Sequence, residues 1–204
     1  MLGIIDYGAG NLKSLVNALK LLGKEFKILN APDLQKISVL ILPGVGAFGS
    51  AIGNLEKLKW IEEIQRWVEK GNPMLGICLG MQLLFDVSEE EGLHEGLKLI
   101  RGRIKRFPDM GLPIPHMGWN EVKIVSESEN ILSDFPFPQY FYFAHSYYAI
   151  PEEKVTIGET SYGIIFPSIV GKGNLLGFQF HPEKSGERGL KLLDISLKRL
   201  EERC

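Results

Sequence analysis

Apolar residues in the first part of the chain come in two rhythms. Short runs at Leu2 to Ile5, Phe26 to Leu29, Val39 to Leu42 and Met74 to Ile77 have the length of strands. The continuous aliphatic ones fit strands covered on both faces. Between the runs, Leu12, Leu15, Val16, Leu19 and Leu22 recur at helical spacing, with Gly23 as a stop. Ile52, Leu55, Leu58, Ile61, Ile64 and Val68 predict one long helix ending at Gly71-Asn72-Pro73. A further helix is expected over Met81 to Phe85. Such alternation predicts a parallel sheet with helices on both faces.

After about residue 95 the rhythm changes. Lys98 to Phe107, Glu121 to Val125, Tyr140 to Phe143, Tyr147 to Ile150, Val155 to Thr160, Ile164 to Val170 and Leu175 to Phe180 read as strands. Prolines and glycines separate them and no long helix intervenes, which predicts antiparallel or mixed pairing. A last helix carries Leu190, Leu193, Leu197 and Leu200 on one face. The prolines at Pro108–Pro115 and Pro136–Pro138 read as loops within one domain, so residues 1–204 are expected to form a single domain.

Composition narrows the classes. Lys and Arg number 23 against 25 Asp and Glu, a formal net charge of −2, which gives no footprint for nucleic acid or an anionic membrane. No apolar run approaches the roughly 20 residues of a membrane span. The start, Met1-Leu2-Gly3-Ile4-Ile5-Asp6, reads as a strand rather than a signal peptide. Two cysteines, Cys78 and Cys204, make no disulfide framework. These features lead to the expectation of a cytoplasmic protein.

Gly44-Val45-Gly46-Ala47-Phe48-Gly49 spells a dinucleotide fingerprint after a strand. The acid that should close the next strand is missing, because Glu62 and Glu63 fall inside the helix and Met74–Ile77 runs into Cys78. The glycines read instead as a segment whose peptide N–H groups can approach a ligand. Gly76-Ile77-Cys78-Leu79-Gly80 is the cysteine counterpart of the nucleophile elbow, a sharp strand-to-helix turn that needs small residues on both sides. It places the sulfur at a helix N-terminus, which favours thiolate. A lone buried cysteine is more often a small hydrophobe; the paired glycines favour a nucleophile.

A thiolate in acyl transfer needs a proton shuttle. Of the four histidines, His94 lies in an acidic stretch and reads as a solvated surface residue, while His116 is structural or at an interface. His145 sits in a polar cluster at a strand end, and His181 ends a strand. Pro182 biases His181 towards extended backbone, and in an extended segment Glu183 faces the same side and reaches the ring. No spacing supplies a third metal ligand, so no metal is expected.

Pro73–Gln82 around Cys78, Gly177–Glu183 around His181, and Pro43-Gly44-Val45-Gly46 together resemble the signatures of the class I, or triad, glutamine amidotransferases. The resemblance runs from Asp6 to Lys184. It implies an α/β, flavodoxin-like fold: a mixed, largely parallel sheet flanked by helices, with extra antiparallel strands in the second half. It implies glutamine as substrate and no cofactor. Cys78 would attack the side-chain amide, His181 would move protons, and Glu183 would orient His181. Val45, Gly46 and Leu79 would supply the oxyanion hole. Gly44, Gly46, Gln82, His145, Ser146 and Tyr147 would bind glutamine. Asp6–Asn11, Pro115–Asn120 and Phe143–Tyr147 are similar to members working in histidine biosynthesis. Those feed ammonia to a separate (β/α)8 barrel cyclase/synthase subunit, which places Asn11, Trp119, Tyr142 and Lys184 at an interface. The alternatives are a glutaminase serving another synthase, a catalytically silent binding subunit, and a cysteine peptidase.

Overall fold

The computed structural model describes residues 1–8, 12–126 and 132–203. Its first half follows the rhythm of the sequence: β1 (Leu2–Ile5), α1 (Leu12–Leu21), β2 (Phe26–Leu29), β3 (Val39–Leu42), α2 (Phe48–Lys57), α3 (Trp60–Glu69) and β4 (Met74–Ile77). A single helical turn, α4 (Leu79–Gln82), leads into β5 (Phe85–Ser88), β6 (His94–Glu95), β7 (Ile100–Arg106), β8 (His116–Ile124) and β9 (Gln139–His145). Then come β10 (Tyr147–Pro151), β11 (Thr156–Tyr162), β12 (Ile164–Lys172), β13 (Leu175–Phe178), a 3-10 turn (Pro182–Lys184) and α5 (Gly186–Glu201).

The main sheet has the order β2-β1-β3-β4-β13-β12-β11-β8-β9. Strands from β2 to β13 pair in parallel, and the pairings from β13 to β9 are antiparallel. This is the mixed, helix-flanked sheet the sequence implied. A second sheet, β10-β7-β5-β6, lies beside it. Successive residues of a central strand feed opposite cores, as the two-residue period requires. Ile4 packs with Leu19, Phe178 and Leu197, while Ile5 packs with Phe48, Trp60 and Phe85.

Three expectations need correction. The long helix is two helices, because Lys59 adopts a left-handed conformation (φ 60°, ψ 30°) between α2 and α3. The break brings Trp60 and Ile64 into full burial and leaves Leu58 exposed. A helical period continues across such a break unnoticed when both helices face the same core. The helix expected over Met81 to Phe85 stops after one turn, and Phe85 already belongs to β5. Residues 182–184 are not extended: His181 is (φ −101°, ψ 93°), but the chain then winds into the 3-10 turn. In smaller differences, β8 begins five residues before Glu121, at His116, and His94 is half-buried in β6 rather than solvated.

Candidate active site

The site forms where β4 and β13 end side by side. Gly76 pairs with Gly177 and Ile77 with Phe178, and the Cys78 N–H donates to the Phe178 carbonyl at 2.7 Å. Residues after the two strands therefore emerge at the same sheet edge. Cys78 has φ 54° and ψ −112°, a strained conformation for a residue with a side chain. The strain is held by packing: a side-chain carbon on Gly80 would collide with the Leu42 carbonyl, so only glycine allows α4 to come so close. Leu79 opens α4, and its N–H has no intrahelical acceptor.

His181 is held in two ways. Its N–H donates to the Tyr142 carbonyl on β9 at 2.9 Å, and its carbonyl accepts the Ser185 hydroxyl at 2.6 Å. Nδ1 lies 2.8 Å from Glu183 Oε1, which leaves Nε2 for the Cys78 sulfur. The 3-10 turn, not an extended segment, brings Glu183 to the ring. Burial opposes charge on His181, but the Cys78 thiolate and the Glu183 carboxylate outweigh it and push the imidazole up to about 10. The arrangement is thus a cysteine sulfur, an imidazole held protonated and a carboxylate in line.

A cavity of about 200 Å³ opens beside the sulfur, lined among others by Val45, Gly46, Leu79, Gln82, Ser146 and Tyr147. Gly46 has φ 101°, a conformation that frees the peptide to turn towards the cavity. Gly44 lines a separate narrow cleft with His181 and Glu183, beside the buried Tyr7 hydroxyl. Ser146 is where the chain passes from the main sheet (β9) to the second sheet (β10), so the cavity wall is made by the seam between sheets.

His145 borders the cavity with both ring nitrogens engaged. Nδ1 donates to the Tyr147 carbonyl at 2.7 Å, and Nε2 faces His116 Nδ1 at 3.0 Å. Because the carbonyl only accepts, His145 carries its proton on Nδ1 and His116 must donate to Nε2. His116 Nε2 then accepts from Asn120 Nδ2 at 3.2 Å. Burial pushes His145 down to about 3 and His116 down to about 4, so both are neutral.

Sequence reasoning missed three groups here. Glu90 lines the cavity while its Oε2 accepts the Phe48 N–H at 2.7 Å, and burial raises its carboxyl. It lies in a run of acids that reads as solvated surface. Gln179 is fully buried beside Cys78, and the relay from Asn120 through His116 to His145 joins β8 to β9. The adjacency of Gln179 to His181 was the one available signal.

Trp119 and Tyr142 are cross-strand partners on β8 and β9, with ring centroids 6.4 Å apart, and Trp119 is 57% exposed. Lys184 is exposed in the 3-10 turn, and the next residue, Ser185, accepts the Tyr142 N–H at 2.9 Å. Val45, Met117 and Tyr140 are exposed too. Asn11 and Cys204 lie outside the described residues. Among the described residues no group of side chains could hold a metal, and no helix is long and apolar enough to cross a membrane.

Residues 3–199 match the family model for "Glutamine amidotransferase class-I". The chain belongs to the class-I glutamine amidotransferases. It is 50% identical over 196 residues to "Imidazole glycerol phosphate synthase subunit HisH" of Desulfitobacterium hafniense (strain DSM 10664 / DCB-2), covering 95% of this chain and 92% of that one. The protein of the same name from Methanocaldococcus jannaschii is 47% identical over 194 residues, covering 95% and 97%. That from Aquifex aeolicus is 46% identical over 199 residues, covering 94% and 93%. Among solved structures, a glutamine amidotransferase aligns with TM-score 0.75 at 18% identity, over 96% of this chain and 99% of the other. PurLQS from Thermotoga maritima aligns with TM-score 0.76 at 20% identity, over 97% of both. At that identity the structural likeness speaks for the class-I amidotransferase fold alone.

Proposed function

We propose that this chain, as one domain, is the glutaminase subunit of an imidazole glycerol phosphate synthase, working in the cytoplasm. The observation that carries the chemistry is the Cys78 elbow beside a His181–Glu183 pair at 2.8 Å. The choice of synthase rests on relatives of that name at 46–50% identity.

Glutamine enters the cavity with its side-chain amide at Cys78. Both Nε2 protons of Gln82 are committed, to the Tyr147 carbonyl and to Gln179 Oε1, so Gln82 offers only its oxygen. That oxygen and the Glu90 carboxylate suit the substrate ammonium, whose charge offsets the cost of burying Glu90. The thiolate attacks the amide carbon, and the C=O electrons move onto the oxygen. Leu79 N–H and a peptide N–H from Val45 or Gly46 stabilise that oxyanion; one such donor is worth roughly 10²–10³ in rate. The His181 imidazolium protonates the departing nitrogen, ammonia leaves and a glutamyl thioester remains. Neutral His181 then takes a proton from water, the resulting hydroxide attacks the thioester, and glutamate leaves as the thiolate returns.

The ammonia passes to a (β/α)8 barrel cyclase/synthase subunit docked on the face of Val45, Met117, Trp119, Tyr142 and Lys184. There it is used to make imidazole glycerol phosphate and aminoimidazole carboxamide ribonucleotide. Exposed aromatic and aliphatic residues gathered beside a catalytic edge support such docking. The test is ammonia release from glutamine with and without the barrel subunit and its nucleotide ligand. Weak release alone, strong release in the complex, and loss of both in Cys78→Ala are expected. Stimulated turnover that survives Cys78→Ala would refute the nucleophile assignment.

A further inference from the structure

The hydrogen bonds around Gln82 have one consistent direction. A backbone carbonyl accepts and never donates, so the Tyr147 oxygen fixes Gln82 with Nε2 towards it at 2.9 Å. The same Nε2 gives its second proton to Gln179 Oε1 at 2.9 Å. With its oxygen so engaged, Gln179 turns Nε2 to Cys78 Sγ at 3.9 Å. His145 Nδ1 reinforces the arrangement from the other side by donating to the same Tyr147 carbonyl at 2.7 Å. The Gln179 backbone is pinned too, its N–H donating to the Ser168 carbonyl at 2.9 Å. The side chain is fully buried, so no water competes for its amide.

We propose that Gln179 is a further catalytic residue: its amide N–H solvates the Cys78 thiolate, in an orientation imposed by Gln82 and the Tyr147 carbonyl. The proposal rests on the reading of Cys78 as the nucleophile. Cys78 is only 5% exposed, so its sulfur meets water only from the cavity side and gains from protein donors on the buried side. A donor to the charged form increases the thiolate fraction before attack. It also makes the sulfur a better leaving group when water cleaves the thioester, where proton and electron bookkeeping return the thiolate. The other titratable groups at the sulfur are His181, which favours the anion, and Tyr7, whose buried hydroxyl is pushed up partly by it. Glu183 stands behind His181, while Glu90 and His145 line the cavity. None of these offers the sulfur a neutral donor fixed by a carbonyl.

The test is the pH dependence of Cys78 alkylation by iodoacetamide, read by intact mass in a Cys204→Ala background that leaves one thiol. Gln179→Met keeps the volume and removes the donor. Its alkylation midpoint should rise by about one pH unit, so that roughly tenfold less thiolate is present on the acid side. Gln82→Met frees Gln179 to rotate and should raise the midpoint by a smaller amount. If Gln179→Met does not fold, as read by its thermal transition, the Gln82→Met midpoint decides. An unmoved midpoint in the folded variant, beside a wild-type midpoint well below that of an ordinary thiol, overturns the role of Gln179 alone. A wild-type midpoint at the ordinary value of about 8.5 overturns the nucleophile reading and this proposal with it.

Discussion

His181 and the His116–His145 pair are all buried and within electrostatic reach of one another, yet they take opposite charge. His181 is 3% exposed and held protonated, up to about 10. His116 is also 3% exposed and held neutral, down to about 4, and His145 goes down to about 3. Burial is similar, so burial does not decide the matter. His181 faces the Cys78 sulfur and a carboxylate, whereas His145 faces a carbonyl and a second neutral ring. On the proposed function, His181 moves protons, while His116 and His145 hold a cavity wall still. Perturbed histidines around one cysteine therefore need not share one role; their partners separate them.

The largest expected contrast is between His181→Asn and His145→Asn. The first should lower stimulated glutamine hydrolysis by roughly 10⁴–10⁶-fold, as removal of a triad base does. The second should stay within about 100-fold and act mainly on KM, because the Tyr147 wall loosens. Equal losses in kcat would break the distinction. Next, Glu183→Gln keeps the shape but removes the carboxylate that supports the imidazolium. A fall in kcat of up to about 10⁴-fold is expected from the loss of tautomer and charge support, and a fall below about tenfold would leave Glu183 only a structural neighbour.

The smallest effect concerns stability. His116 and His145 have folded pKa values below the unfolded value of about 6.5. The unfolded chain therefore binds more protons, and stability falls as pH drops from about 6.5 to about 4. Each histidine contributes up to about 1.4 kcal/mol per pH unit in that window. The double variant His116→Phe with His145→Phe fits the surrounding Phe107, Phe143 and Phe166 rings. Urea midpoints at pH 7 and pH 5 should then differ less in the variant than in the wild type. A variant as acid-sensitive as the parent would mean that the neutral pair does not govern this window.

The sequence was most legible where a local rule acts alone. Val39–Leu42 and Met74–Ile77 are strands with the boundaries that continuous aliphatic runs suggest. The elbow was legible because close approach to Leu42 demands glycine at Gly80, and a demanded glycine leaves a mark in the sequence. The α2–α3 break left no such mark, since Lys59 takes a left-handed conformation that lysine does not advertise. Glu183 reached His181 by a turn that Pro182 also permits, so the partnership was readable while the backbone behind it was not.

By itself the sequence determined the class-I amidotransferase pattern, the parallel core and the two segments that end at Cys78 and His181. Those depend on periodicity, glycine sterics and short-range spacing, all of which are written locally. Only the tertiary structure decided which histidines carry charge, that Glu90 enters the cavity, and which way the amides of Gln82 and Gln179 point. These follow from β4 lying beside β13 and from the seam between two sheets at Ser146. The electrostatics and hydrogen-bond direction at a buried atom are set by whatever the fold places within a few ångströms, and no sequence separation encodes that.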